Sequence, residues 1–143
     1  MDLRPYLPAD RAACLKIFDS NAPHSGPADA RERFENFLDQ AGVTYLVMDH
    51  DGIVIGCGGY RMGPAPGFAT LEWCMVQRGS QKLGLGRLLL MYCLREIGKS
   101  GGIDWVRLET PQSAATFFEG QGFKVAGTAH GRVEMVKKLT VCT

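Results

Sequence analysis

Met75-Val76-Gln77-Arg78-Gly79-Ser80-Gln81-Lys82-Leu83-Gly84-Leu85-Gly86-Arg87-Leu88-Leu89-Leu90 is the stretch from which the rest of the chain is read. The residues ending at Val76 read as a strand and the glycine-bearing residues after them as a loop. Arg87 to Lys99 reads as a helix, apolar on most sides and therefore buried. A helix beginning near Gly86 after such a loop offers main-chain N–H groups to an anion, and its dipole adds about half a positive charge there. Glycines at 84 and 86 let a bulky anion approach the main chain without a Cβ in the way, and Lys82 and Arg87 add mobile positive charge. Read alone, the loop is either a phosphate site or a glycine-rich connector, and both readings stand.

Two familiar phosphate motifs fail against it. A P-loop requires a lysine and a Ser or Thr directly after its last glycine, where this chain has Arg87-Leu88. A dinucleotide fingerprint requires a third glycine, but position 89 is leucine, and no acidic residue closes a parallel βαβ unit.

Working towards the N-terminus, Phe68 to Val76, Ile53 to Arg61 and Thr44 to Met48 read as a three-strand antiparallel meander. Its turns are Gly63–Gly67 and the hairpin signal Asp51-Gly52. Glycines at 56, 58 and 59 mark the middle strand for a bulge or a close backbone approach. Before the meander come helices from Arg11 to Asp19, with Asp10 as expected N-cap, and from Ala28 to Gln40. A short edge strand spans Asp2 to Tyr6. Towards the C-terminus, Trp105 to Thr110 is a strand, Ser113 to Glu119 a short helix, and Lys124 to Thr128 with Val133 to Leu139 a closing hairpin. Trp105 is expected in the core. The order predicts one α/β (α+β) domain over residues 1–143, with a mixed, mostly antiparallel sheet of about six to seven strands and about four helices.

Composition narrows the partners. The 143 residues suit one domain, and 45% hydrophobic with 22% charged residues is ordinary globular usage. A net charge of +1 gives no electrostatic reason to invoke nucleic acid or an anionic membrane. The five cysteines form no CxxC pair and are odd in number, which argues against a zinc site or a disulfide framework; no metal is expected. The first residues lack a basic stretch followed by an apolar run, and no segment reaches the roughly 20 apolar residues of a spanning helix. The chain therefore reads as cytoplasmic, with reduced thiols.

Gln81-x-x-Gly84-x-Gly86, after a strand ending Met75-Val76 and before Leu88-Leu89-Leu90, resembles the acetyl-CoA loop of the GNAT N-acetyltransferase superfamily. Phe117-Phe118-Glu119-x-x-Gly122-Phe123 resembles the second motif of that family, and Leu3-Arg4-Pro5 followed by Asp10 suits its first strand and helix. The resemblance runs over nearly the whole chain, in the family's element order. It implies acetyl-CoA as cofactor and a primary amine of a small molecule or peptide as acceptor, acetylated by direct attack in a ternary complex. Cys74, Met75 and Val76 would bind the pantetheine arm like an added strand. The Val76 N–H would polarise the thioester carbonyl. Gln81, Lys82, Leu83, Gly84, Leu85, Gly86 and Arg87 would hold the pyrophosphate, and the helix from Ser113 to Glu119 would flank the thiol end. A homodimer stays open.

The chemistry asks for a base, and Glu72 is the candidate, lying four residues before Val76 and on the same face of the strand if no bulge intervenes. Many family members carry a tyrosine acid where this chain has Phe118, and the polar residue often ending the preceding strand falls near Pro111. Thr110, Ser113 or a water could stabilise the leaving thiolate instead. That departure keeps a second expectation alive, a catalytically weak or silent acyl-CoA-binding sensor. Cys74 lacks an activating base in the sequence, so it reads as a small buried hydrophobe. His24, His50 and His130 fall in turns without metal-like spacing, and Tyr60 and Trp73 could shape an acceptor pocket.

Overall fold

A computed structural model describes residues 2–21, 29–40, 44–79, 84–129 and 131–139. Seven strands, β1 (Asp2–Pro5), β2 (Thr44–His50), β3 (Ile53–Met62), β4 (Phe68–Val76), β5 (Trp105–Pro111), β6 (Lys124–Ala129) and β7 (Arg132–Lys138), form one sheet in the order β1-β2-β3-β4-β5-β7-β6. Helices α1 (Arg11–Asn21), α2 (Ala30–Asp39), α3 (Leu85–Ser100) and α4 (Ala115–Gly120) accompany it. Every neighbouring pair is antiparallel except β4 with β5, and α3 lies in the crossover a parallel pair requires.

The helices divide between the two faces of the sheet. One face carries an aliphatic core in which Leu85, Leu89, Leu90, Cys93 and Ile97 of α3 meet Leu71, Val106, Leu108 and Met135. Those α3 positions recur at helical spacing, so one stripe faces the strands. The other face is aromatic. Phe18 of α1 and Phe34 of α2 pack with Tyr45, and Phe37 and Trp73 close around them. Phe34 stands 4.9 Å from Trp73 and 5.6 Å from Phe18 between ring centroids.

Between these layers β4 is bent. Gly59 pairs with Glu72 and Cys57 with Met75, so Trp73 and Cys74 together oppose Gly58. Trp73 adopts φ of +50°, an uncommon conformation for a bulky side chain, and its carbonyl accepts a 2.8 Å hydrogen bond from the buried Tyr45 hydroxyl. The β3 glycines make room for this. A Cβ at Gly58 would lie 2.8 Å from Cys74 Sγ, and one at Gly59 only 2.1 Å from the Thr44 carbonyl oxygen.

Three expectations need correction. Asp10 is not an N-cap: Pro8–Asp10 form a 3-10 turn that runs into α1, started by a proline with no N–H to satisfy. Asp10 instead accepts from the Leu7 N–H at 2.9 Å and takes two hydrogen bonds from Arg4, at 2.8 and 2.9 Å; the guanidinium holds its carboxyl below the usual range. Trp105 is 37% exposed rather than core. Alternation along β5 turns Val106, Leu108 and Thr110 inward, leaving Trp105 to stack on Phe68 at 6.4 Å. Tyr60 packs on the α3 side and lines no acceptor pocket.

Candidate active site

The bulge positions the site by opening the sheet. β4 and β5 pair only where Phe68–Thr70 meet Trp105–Arg107, although β4 runs on to Val76 and β5 to Pro111. A cleft of about 1100 Å³ occupies that divergence. Its walls come from the β4 end, the start of α3, the β5 end with the α4 region, and the facing side of α2.

Most of the residues picked from the sequence converge there. Cys74, Met75 and Val76 line the β4 wall, Gly84, Gly86 and Arg87 the helix end, and Thr110, Ser113 and Phe118 the opposite wall. Gly84 is the N-cap of α3 with φ of +72°, and a Cβ built on it would meet no atom of the described residues within 4 Å. The first turn of α3, whose leading N–H groups have no partner within the helix, thus borders the cleft at Gly84 and Gly86. Among the described residues, neither Arg87 nor Arg78 has an ion-pair partner, so both guanidinium groups remain available to an anion. Gln81, Lys82 and Leu83, like His24 and His130, lie outside the described residues. The Leu85 side chain is buried in the aliphatic core, because the first turn of α3 directs it towards the sheet. His50 is exposed beside Asp51 at the β2–β3 turn, away from the cleft.

The bulge also changes the relation of Glu72 to Val76. Val76 belongs to the core under α3, as do Ala69 and Leu71, while Trp73 and Met75 pack towards α1 and α2. One extra residue in β4 switches parity, so Glu72 lies on the α1/α2 face and does not share a face with the Val76 side chain. Glu72 lines the cleft and is ion-paired with Arg61, which stands across β3 on the same face. The Val76 carbonyl accepts a 3.0 Å hydrogen bond from Asn21 Nδ2, and the Arg78 N–H donates to Ser20 Oγ at 3.1 Å. These two bonds tie the end of β4 to the end of α1.

The opposite wall holds Phe118 within an aromatic group, edge-on to Phe117 at 5.1 Å and to Phe123 at 5.8 Å. Thr110 is 5% exposed, and its hydroxyl has no hydrogen-bond partner among the described residues. Ser113 is exposed at the outer edge. Cys74 Sγ sits near the Glu72 and Gly59 carbonyls, and the hydrogen bond from the Cys93 thiol draws its own thiol below the ordinary value. Its neighbour is another thiol rather than a base, which leaves it without the partner a nucleophilic cysteine needs.

Sequence reading missed the charged wall on the α1/α2 side. Arg107 is 13% exposed and donates to Glu134 Oε2 at 2.7 and 2.9 Å, to Glu109 at 3.2 Å and to Thr70 at 3.5 Å. Arg61, Arg132 and Arg33 line the same wall. The signal was there in β5, where Val106-Arg107-Leu108-Glu109-Thr110 alternates strictly and places two charges on one face of a strand.

The family model of the acetyltransferase (GNAT) family matches residues 11–123. No curated protein matches the chain in sequence. Among solved structures, an acetyltransferase of the GNAT family from Staphylococcus aureus superposes with a TM-score of 0.78 at 16% identity, covering 97% of this chain and 99% of that one. The ribosomal-protein-S18-alanine N-acetyltransferase of Escherichia coli gives 0.76 at 21% identity over 99% and 96%. The PaiA N-acetyltransferase of Thermoplasma acidophilum, in complex with coenzyme A, gives 0.74 at 18% identity over 96% and 98%. At these identities the superpositions speak for the fold, and the family model covers most of the chain. The chain belongs to the GNAT acetyltransferase family.

Proposed function

We propose that the protein is an acetyl-CoA-dependent N-acetyltransferase acting on a primary amine. The observation that carries this reading is the convergence of the open β4–β5 edge and the α3 N-terminus on one cleft. An extended, anionic donor suits that shape. The diverging strands accept a pantetheine arm alongside Cys74–Val76, and the helix end with Arg87 and Arg78 faces the phosphates. When bound, acetyl-CoA would supply an activated thioester, at which the amine nitrogen would replace sulfur on the carbonyl carbon, the C–S electron pair leaving on the CoA thiolate and one proton leaving the nitrogen.

The chain's own residues have three tasks. Glu72 takes the proton from the amine, directly or through water, and Arg61 fixes its orientation. The main chain at Val76, tied to Asn21 through its carbonyl, holds the thioester end. Thr110 offers a hydroxyl on the wall where Phe118 offers none, and so replaces the missing acid more directly than the exposed Ser113.

Phe118 also favours a second reading, an acyl-CoA sensor with little turnover, because its ring is committed to packing against Phe117 and Phe123. Two measurements separate the readings. Acetyl-CoA and CoA should raise the melting temperature while ATP does not, since saturation at 100 times Kd adds about 2.7 kcal/mol. Absence of any shift with either CoA species defeats both readings. Thiol release from acetyl-CoA with a broad amine panel identifies the enzyme, and binding without release identifies the sensor. In the enzyme, Glu72→Gln should lower kcat/KM by roughly 100-fold or more. A variant with full activity across pH removes Glu72 as the base.

A further inference from the structure

The acceptor half of the cleft is rich in arginine, and the carboxylates beside it are unevenly shared. Arg33, Arg61, Arg107 and Arg132 line it beside Glu72 and Glu109. Most of these charges are committed: Arg61 to Glu72, Arg107 to Glu134 and Glu109, and Arg33 loosely to Asp29 at 3.6 Å. Arg132 is different. It is partly buried, its Nη2 donates only to the main-chain carbonyl of Glu109 at 3.2 Å, and no carboxylate among the described residues pairs with it.

Its place in the sheet gives that charge a use. Arg132 sits opposite Pro111 on β7. Measured from the last β4–β5 pair, Thr70 with Arg107, and allowing for the bulge, Pro111 comes level with Met75 across the gap. Val133 and Met135 turn into the aliphatic core, so alternation puts Arg132 on the α1/α2 face with Glu72. An uncommitted guanidinium thus stands across the cleft from the proposed base, at the height of the proposed thioester.

Resting on the acetyltransfer reading above, we propose that the acceptor is an amino acid, and that Arg132 binds its carboxylate while its amine faces Glu72. A single unpaired arginine matches one planar carboxylate through two parallel hydrogen bonds. Arg107, already paired with Glu109 and Glu134, competes less for that carboxylate.

The test compares the common L-amino acids with their α-amides and decarboxylated amines. Readouts are thiol release from acetyl-CoA and, independently of turnover, thermal shift with and without saturating CoA. The wild type should favour an acid over its amide by roughly 10- to 100-fold in kcat/KM or Kd, the range set by one charge-assisted hydrogen-bonded pair. Arg132→Gln should collapse that ratio towards one, mainly through KM, with CoA affinity unchanged, and Arg132→Lys should restore part of it. Equal or better use of amides and amines, an unchanged ratio in Arg132→Gln, or no binding of any acid overturns the proposal. Selective acid binding that Arg132→Gln abolishes, without thiol release, keeps Arg132 as the carboxylate site and defeats the acetyltransfer reading. Preferred acetylation of amides does the reverse.

Discussion

On the side of the cleft nearest α3 and α4, main chain and small groups (the α3 start at Gly84, Gly86 within its first turn, Thr110 and the β4 edge) are set between the apolar side chains of Leu89, Leu90, Phe117 and Phe118. On the side nearest α1 and α2 it is long charged side chains from four strands: Arg61, Glu72, Arg107 and Glu109, interlocked by ion pairs, and Arg132, bonded to the Glu109 main-chain carbonyl. Both sides depend on the same bulge at Trp73 and Cys74. The difference is in how each can fail. A surface of main chain is broken by adding atoms, because a methyl group occupies the space of the ligand or of the neighbouring strand. A surface of paired charges is broken by removing atoms, because each truncation leaves a partner unpaired and partly buried.

The largest effect should come from adding a methyl where the three central strands meet. In Gly59→Ala the new Cβ would lie 2.1 Å from the Thr44 carbonyl oxygen and 3.0 Å from Tyr45 Cα, and neither main-chain atom can move without disturbing the β2–β3 ladder. The expected cost is about 3 kcal/mol or more, read by chemical denaturation, with both halves of the cleft lost together. A stable Gly59→Ala with intact CoA binding would show that β3 has slack the bulge does not need.

Removing atoms from the charged side comes next. Arg107→Gln leaves Glu134 and Glu109 facing each other across a site where the arginine was 13% exposed. With the two carboxylates 58% and 41% exposed, solvent screens their repulsion, and we expect a loss of about 1–2 kcal/mol at neutral pH. CoA affinity should change little, since Arg107 lies on the acceptor wall. Proportional loss of CoA binding would mean that the two halves are coupled, and the contrast drawn above would fail.

The degree to which each half was legible in the sequence follows from the same contrast. A main-chain site is written locally: Gly84 and Gly86 stand a fixed distance from Val76 along the chain, so a short motif marks the α3 end of the cleft. Strand β4 was likewise visible to the residue, Phe68–Val76, because the turn at Gly63–Gly67 and the following glycines bound it. The charged wall is written across β3, β4, β5 and β7, which only the sheet order brings together. Its members also look like ordinary solvated strand residues. The parity of Glu72 depended on a bulge that no local residue type announces, since the left-handed position is filled by Trp73 rather than glycine. Trp105 was misplaced because its size argued for burial while its position at the start of β5 decided its face.

That bulge is itself testable through the aromatic layer beneath it. Tyr45 is 2% exposed, and its only role at Trp73 beyond packing is the 2.8 Å hydrogen bond to the carbonyl. Tyr45→Phe keeps the ring and leaves that carbonyl without its donor, so a loss of about 1–1.5 kcal/mol is expected. Because the strained residue is held partly by this bond, CoA and acceptor binding should both weaken by more than the melting temperature suggests. Equal Tm and equal binding would assign the bulge to aromatic packing alone.

The smallest effect on stability, and the clearest separation of stability from binding, belongs to Gly86→Ala. The added Cβ would sit 3.5 Å from Phe117 Cζ and 3.9 Å from Val76 Cγ2, ordinary contacts that need no rearrangement. Within the first turn of α3, alanine is the better helix former, so stability should hold or rise by up to about 1 kcal/mol. The same methyl narrows the passage between Val76 and Phe117 where an extended donor would lie. CoA affinity should fall by about tenfold, equivalent to one charge-assisted hydrogen bond of about 1.5 kcal/mol. Acceptor preference at saturating acetyl-CoA should not change, because the charged wall is untouched. A protein that is more stable yet binds CoA less well is the outcome that a site made of main chain requires, since the space the glycine leaves open serves the ligand and not the fold.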